Sequence, residues 1–183
     1  MIRIAITGPE CCGKTALCDW LGKNIFDARV VAEYSREYLS ARGEGYEYTR
    51  EDLLEIARTT AAKLTKAFKS TSDALVVDTD FYVLDIWWKE LFGEENEEIQ
   101  ILKDTFDFDL YLLCEPDLPW EYDPLRENPH DRDRLFDLYQ RELKADGRTV
   151  EIVRGTGEDR MKQILLKIMR RFPNLMTEEE GEP

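Results

Sequence analysis

Two rhythms of apolar positions alternate along the chain. Short runs rich in β-branched residues recur at Ile2–Thr7, Arg29–Ala32, Ala74–Asp78, Leu110–Cys114 and Thr149–Val153, and each reads as a strand. Between them, apolar residues three and four apart predict helices over Lys14–Ile25, Ser35–Ala41, Phe81–Phe92, Asn96–Phe106, Asp131–Lys144 and Glu158–Arg171. A further helix opens at the capping-box signature Thr49 to Asp52 and runs to about Lys69. Strand–helix alternation of this kind implies an α/β, doubly wound, five-stranded parallel sheet flanked by helices, with ligands at the carboxyl ends of its strands. Residues directly after each strand are therefore the site candidates: 8–15, Glu33–Tyr38, Asp78–Asp80, Glu115–Arg126 and Arg154–Gly157.

The first of these segments carries the strongest signal. Gly8-Pro9-Glu10-Cys11-Cys12-Gly13-Lys14-Thr15 fits G-x-x-x-x-G-K-[ST] and lies between a strand and a helix, the context in which that pattern binds phosphate. Its glycines let successive backbone N–H groups turn inward as an anion nest, and the following helix adds its positive end. Lys14 is then expected to reach the β- and γ-phosphates of ATP, and Thr15 to offer its hydroxyl to magnesium. A P-loop NTPase fold follows.

The other strand ends supply candidates for an acceptor. Asp78 suits the magnesium shell, and Asp80 suits a group that takes or orients an acceptor hydroxyl; helix capping is the alternative for Asp80. Glu33 and Arg36, three apart after the second strand, either contact substrate or pair with each other. The proline-punctuated stretch 120–134 carries Arg126, Arg132 and Arg134 among acidic residues, and reads either as a lid or as a charged surface turn. Arg126 is its best candidate for a phosphate clamp. Trp87 and Trp88 cannot share a helix face, so one is expected in the core and the other at the cleft.

Composition narrows the partners. Lys and Arg total 25 against 39 Asp and Glu, a formal charge of −14, which argues against nonspecific nucleic-acid or anionic-membrane binding. Phosphate binding must be local. No apolar stretch approaches a bilayer span, and the chain enters its first strand with no signal-like segment, so a cytoplasmic location is expected. Cys11, Cys12, Cys18 and Cys114 lack zinc-ligand spacing and are expected as reduced thiols, and His130 has no partner cluster. One domain is expected over 1–173, with an acidic flexible tail over 174–183, where Glu, Gly and Pro dominate.

Taken together, Gly-Pro-Glu-x-x-Gly-Lys-Thr, Glu33-Tyr34-x-Arg36-Glu37-Tyr38, Asp78-Thr79-Asp80 with Trp87 beyond it, Pro116-Asp117-x-Pro119-Trp120 and Asp123-x-Leu125-Arg126 resemble the NadR-like ribosylnicotinamide kinase domains. The likeness spans Ile2 to about Arg171. It implies ATP- and magnesium-dependent phosphorylation of the 5′-hydroxyl of nicotinamide riboside to nicotinamide mononucleotide. On that likeness Gly8 to Thr15 hold ATP, with Lys14 catalytic and Thr15 and Asp78 at the metal. Glu33, Arg36, Asp80, Trp87 and Trp120 would face the riboside, and Arg126 would act in the lid; the motif does not fix which carboxylate is the base. The family's helix-turn-helix and adenylyltransferase domains are not matched, so DNA repression and adenylyl transfer are not expected. Ala32 stands where some members carry an aromatic residue, and Cys11 and Cys12 replace a pair of small serines. A kinase for another nucleoside or small alcohol, and a nucleotide switch or ATPase acting on a protein partner, remain alternatives; Thr79 after Asp78, and the lack of an Asn-Lys-x-Asp motif, weigh against the last.

Overall fold

The computed structural model describes residues 1–43, 46–124, 126 and 129–175. Its elements follow in the order β1 (Ile2–Thr7), α1 (Lys14–Asn24), β2 (Ala28–Val31), α2 (Tyr34–Ser40), α3 (Arg50–Ala67), β3 (Ala74–Asp78), α4 (Phe81–Phe92), α5 (Glu97–Thr105), β4 (Leu110–Cys114), α6 (Arg132–Ala145), β5 (Val150–Val153) and α7 (Gly157–Arg171). The five strands form one sheet in the order β2-β3-β1-β4-β5, and every pairing is parallel. Each expected strand and helix is present, with ends displaced by a residue or two. Those displacements fall where a terminal turn either continues or frays.

Side-chain alternation on the central strands divides the core. Ala5, Leu75, Val77, Tyr111 and Leu113 face the side covered by α3, α4, α5 and α6. Ile4, Ile6, Val76, Leu110 and Leu112 face α1 and α7. Burial on both faces explains why β3 and β4 read as unbroken apolar runs. The edge strands β2 and β5 are four residues each, short enough to limit unpaired edge.

One expectation about the chain's end is corrected. Leu175 is buried against the α1/α7 side of the core, so the packed unit reaches at least this residue rather than stopping at 173. Residues 176–183, on which the rest of the tail expectation falls, lie outside the described residues.

Two polar networks hold the helices in register. The first is centred on Asp52, the third residue of α3. Its carboxylate accepts from the Thr49 N–H at 2.7 Å, the Thr49 hydroxyl at 2.8 Å, Tyr38 at 2.7 Å and Tyr46 at 2.9 Å. Burial pushes this carboxyl's pKa up, but those donors, the Thr49 N–H foremost, outweigh burial and hold it below the ordinary range. Because Tyr38 lies on α2, the network fastens the helix that follows β2 onto α3. The second network is centred on Asp85 of α4, which is 0% exposed. It pairs with Lys89 at 3.0 Å and with Lys103 of α5, itself 6% exposed, at 3.4 Å. Lys103 also reaches Asp146, just past α6, at 3.2 Å, joining α4, α5 and the end of α6 through one buried ammonium.

Asp52→Ala should cost about 2 kcal/mol at pH 7, the scale of hydrogen bonds to a charged group. The folded-state pKa is lowered, so the carboxylate's contribution is complete above about pH 4 and is lost as pH falls through the folded value. Urea unfolding at pH 7 and at pH 3 should show the variant's deficit shrinking; equal deficits would mean that the ionised carboxylate is not the source. Lys103→Ala should cost about 2 kcal/mol in the same assay, since it removes one charged partner from a buried carboxylate that keeps Lys89 and the Gln100 amide, at 2.6 Å, as donors. A loss under about 0.5 kcal/mol would show that Lys89 and Gln100 together satisfy Asp85.

Candidate active site

The P-loop leaves β1 against the last residue of β4. Gly8 has φ 130°, and a Cβ there would lie 2.8 Å from the Cys114 carbonyl oxygen, so no side chain fits. Gly13, at φ 77°, is the left-handed residue from which α1 starts. The loop curls around the Lys14 ammonium, which donates to the Gly8 and Pro9 carbonyls at 3.0 and 2.7 Å. Burial opposes the charge on Lys14, but Cys12, Glu33 and Asp78 outweigh it and raise the pKa, so a cation waits at the phosphate position. Burial pushes the Cys12 thiol up, but the neighbouring Cys114 thiol and the charges of Lys14 and Arg160 outweigh that, bringing Cys12 to about 7.

Asp78 and Asp80 leave β3 in different directions. Between them Thr79 has φ 71°, an uncommon backbone for a β-branched residue. The Thr15 hydroxyl lies beside the Asp78 carboxylate and favours its charged form, and Asp78 Oδ1 is buried without a protein partner. Burial foremost, and then Glu33, push the Asp78 pKa up against the opposing pull of Thr15 and Lys14. A hydroxyl beside a desolvated, under-coordinated carboxylate fits a hard divalent cation that takes the rest of its shell from phosphate and water. Among the described residues no group of three or more His, Cys, Asp or Glu is poised to hold a metal by itself.

Asp80 lines a narrow pocket with Glu33 and Asp78 and makes the contacts of a helix cap. It is 1% exposed, caps α4 by accepting from the Val83 N–H at 3.4 Å, and accepts the Thr7 hydroxyl at 2.9 Å. Burial pushes its carboxyl up to about 6. The capping alternative describes its contacts, and its other oxygen is buried with no partner.

A cleft of about 680 Å³ runs from the P-loop to α2, α4 and α6. Glu33, Arg36 and Trp87 line it, as does Arg126, with Val83 and Tyr139 among the apolar walls. Glu33 occupies the N-cap position of α2 and accepts a short hydrogen bond from the Ser35 hydroxyl. Arg36 does not pair with Glu33, three residues away; it reaches Asp123 at 2.7 Å, joining α2 to the stretch after β4. Trp87 is fixed by a hydrogen bond from its indole N–H to the Tyr48 hydroxyl at 3.1 Å, edge to face with that ring. Trp88 takes the core position.

The stretch 120–134 separates its three arginines. Leu125, Glu127 and Asn128 lie outside the described residues. Arg126 lies over the P-loop, donating to the Glu121 carbonyl at 2.6 Å and to the Cys11 sulfur at 3.3 Å. Arg132 donates to the Cys11 and Leu118 carbonyls at 3.2 and 3.0 Å. Arg134 instead joins an exposed ion-pair group with Asp131 and Glu90, the surface reading of this stretch. Trp120 is not brought to the cleft wall; the Arg132 guanidinium lies 5.7 Å from its ring centre.

Arg160, on α7, is the residue that sequence reasoning missed. It is 2% exposed, donates to the Cys12 carbonyl at 2.6 Å and to the Gly155 carbonyl at 3.0 Å, and pairs with Asp117 at 2.9 Å. In the sequence it is one charge among many on an amphipathic helix. Only its three-residue distance from the segment after β5 hinted at the site.

A model of the AAA domain family matches residues 3–160. The trifunctional NAD biosynthesis/regulator protein NadR of Escherichia coli is 32% identical over 160 residues, which are 85% of this chain and 38% of that protein. The chain thus spans little more than a third of this curated relative. A crystal structure of NadR in complex with NR matches with a TM-score of 0.75 at 19% identity, over 92% of this chain and 51% of the other. Another, of NadR in complex with NAD and AMP-PNP, matches with a TM-score of 0.72 at 18% identity, over 92% and 49%. No helix among the described residues is long and apolar enough to cross a membrane. With its P-loop kinase fold and a family model matched over most of its length, the chain belongs to the AAA domain family and is NadR-like.

Proposed function

We propose that this protein is an ATP-dependent kinase for the 5′-hydroxyl of nicotinamide riboside, yielding nicotinamide mononucleotide. The observation that carries the reading is one continuous cleft with a phosphate-binding loop at one end and Glu33, Arg36 and Trp87 at the other. A donor phosphate on the loop and a nucleoside against α2 and α4 would meet near Glu33. The names of the relatives, a NAD biosynthesis protein and NadR bound to NR or to NAD with AMP-PNP, support the same donor and acceptor.

The residues divide the work as follows. The loop 8–15 binds the triphosphate, and Lys14 supplies charge to the β- and γ-phosphates. Thr15 and Asp78 would hold magnesium, which would supply charge neutralisation for the transferring phosphate. Glu33 accepts the acceptor hydroxyl's proton or fixes its direction, because it lines the cleft while Asp80 is engaged in capping. A loose phosphoryl-transfer transition state depends on alignment more than on a strong base, so a carboxylate oriented by the Ser35 hydroxyl suffices. Arg36 and Trp87 shape the acceptor side, and Arg126 covers the transferring group once it leaves Glu121. Trp120 belongs to the cover through Arg132. In this reading the chain from residue 1 to at least 175 is one catalytic unit that works in the cytoplasm.

Purified protein with magnesium, ATP and nicotinamide riboside should form the mononucleotide, read by chromatography against a panel of other nucleosides. Product from another nucleoside alone would replace the acceptor and keep the kinase; hydrolysis without transfer would favour the switch or ATPase alternative. Lys14→Ala should lower kcat by about 10²–10³-fold. Glu33→Gln should lower kcat by at least about 10²-fold with KM for ATP nearly unchanged. Asp80→Asn keeps a competent helix cap and should retain kcat within a few-fold of the unaltered enzyme. The reverse ranking of the Glu33 and Asp80 variants would move the proton-accepting role to Asp80.

A further inference from the structure

A phosphate nest works only if consecutive peptide N–H groups face the anion. In a trans peptide the carbonyl oxygen of one residue and the N–H of the next point in opposite directions. Whatever holds a loop carbonyl outward therefore aims the following N–H inward. Two consecutive P-loop carbonyls are held in this way by arginines from distant parts of the chain: Cys11 by Arg132 at 3.2 Å, and Cys12 by Arg160 at 2.6 Å.

We infer that Arg132 and Arg160 are positioning residues for the phosphate site, fixing the peptide planes so that the Cys12 and Gly13 N–H groups face the phosphates. Cys11 shows why support is needed. It is a non-glycine residue at φ 52°, in the left-handed region that side chains disfavour. Besides the Arg132 contact to its carbonyl, its sulfur accepts from the Glu121 N–H and from Arg126, each at 3.3 Å, and donates to the Pro119 carbonyl at 3.5 Å. The segment after β4 thus grips Cys11 at both side chain and backbone. Arg160 is itself set by Asp117 and by the Gly155 carbonyl, so the loops after β4 and β5 both bear on the Cys12 peptide. Arg160 holds its acceptors through two nitrogens, and Arg132 holds both of its carbonyls through Nη1, a reach and planar geometry that a shorter lysine ammonium does not reproduce.

The inference rests on the phosphate-binding half of the proposed function and not on the identity of the acceptor. Its test needs no riboside. Calorimetric titration of the unaltered chain, Arg132→Lys and Arg160→Lys with AMP-PNP and magnesium keeps the charge constant and removes the forked donor. Each variant should bind about tenfold or more weakly, the loss expected for a hydrogen bond between a charged donor and a carbonyl. Amide spectra provide a readout that general loosening would not mimic. Adding AMP-PNP should shift the Cys12 and Gly13 N–H signals strongly in the unaltered chain. The Gly13 shift should shrink selectively in Arg160→Lys, and the Cys12 shift in Arg132→Lys. If the buried Arg160 variant does not fold, Arg132→Lys decides the matter. Binding within twofold of the unaltered chain, or unchanged Cys12 and Gly13 shifts in a folded variant, would overturn the inference. Failure of the unaltered chain to bind AMP-PNP would overturn the proposed ATP site and this inference with it, whereas failure with the riboside alone would leave the inference standing.

Discussion

Everything about the site depends on β1 being paired on both sides, by β3 and by β4. That pairing brings three strand ends into line, and it sets the P-loop directly against Cys114, where the missing side chain of Gly8 is a steric requirement. The same register puts Asp78 opposite Ile6, so the carboxylate emerges beside the start of α1 and meets Thr15. The P-loop and the Asp78 carboxylate are thus neighbours because of backbone hydrogen bonds. The side chains at the site inherit a geometry fixed by the apolar interior of the sheet.

Around that frame the molecule manages unfavourable groups by pairing them. Lys14 is half-buried and ringed by loop carbonyls and acidic charge, and Lys103 is buried between Asp85 and Asp146. Asp78 is one exception: its Oδ1 is desolvated and has no protein partner, next to a residue in a disfavoured backbone conformation. Buried polar atoms are almost always satisfied, so an unsatisfied one at the mouth of a phosphate loop points to a group that arrives with the ligand. Asp80 also leaves one oxygen unsatisfied, but its other contacts tie it to the fold.

Much of this was legible in the sequence because it depends on local pattern. The P-loop spacing, the apolar runs of β3 and β4 and the capping box at Thr49 each declare themselves within a few residues. Assignments that depend on long-range direction were less legible. Asp78 and Asp80 are two apart at a strand end, and only the turn at Thr79 decides that one meets the P-loop while the other caps α4. Arg36 was weighed against its sequence neighbour Glu33 and instead meets Asp123, which is distant in sequence and close in space. Arg132 and Arg134 are separated by one residue, yet one grips the P-loop and the other an exposed acidic pair, because two residues of helix turn a side chain well away. Arg160 carried no motif at all; its importance lies in its burial against the Cys12 carbonyl, which no spacing rule encodes.

The ion pair between Arg36 and Asp123 bears on how the cleft breathes. It bridges α2 and the segment over the P-loop, and its side chains are 50% and 20% exposed. Such a pair contributes about 1 kcal/mol or less, and dissolved salt weakens it. The bridge is therefore a soft latch, set by ionic strength as much as by shape. Breaking it would leave the Arg132 and Arg160 contacts to the P-loop carbonyls intact.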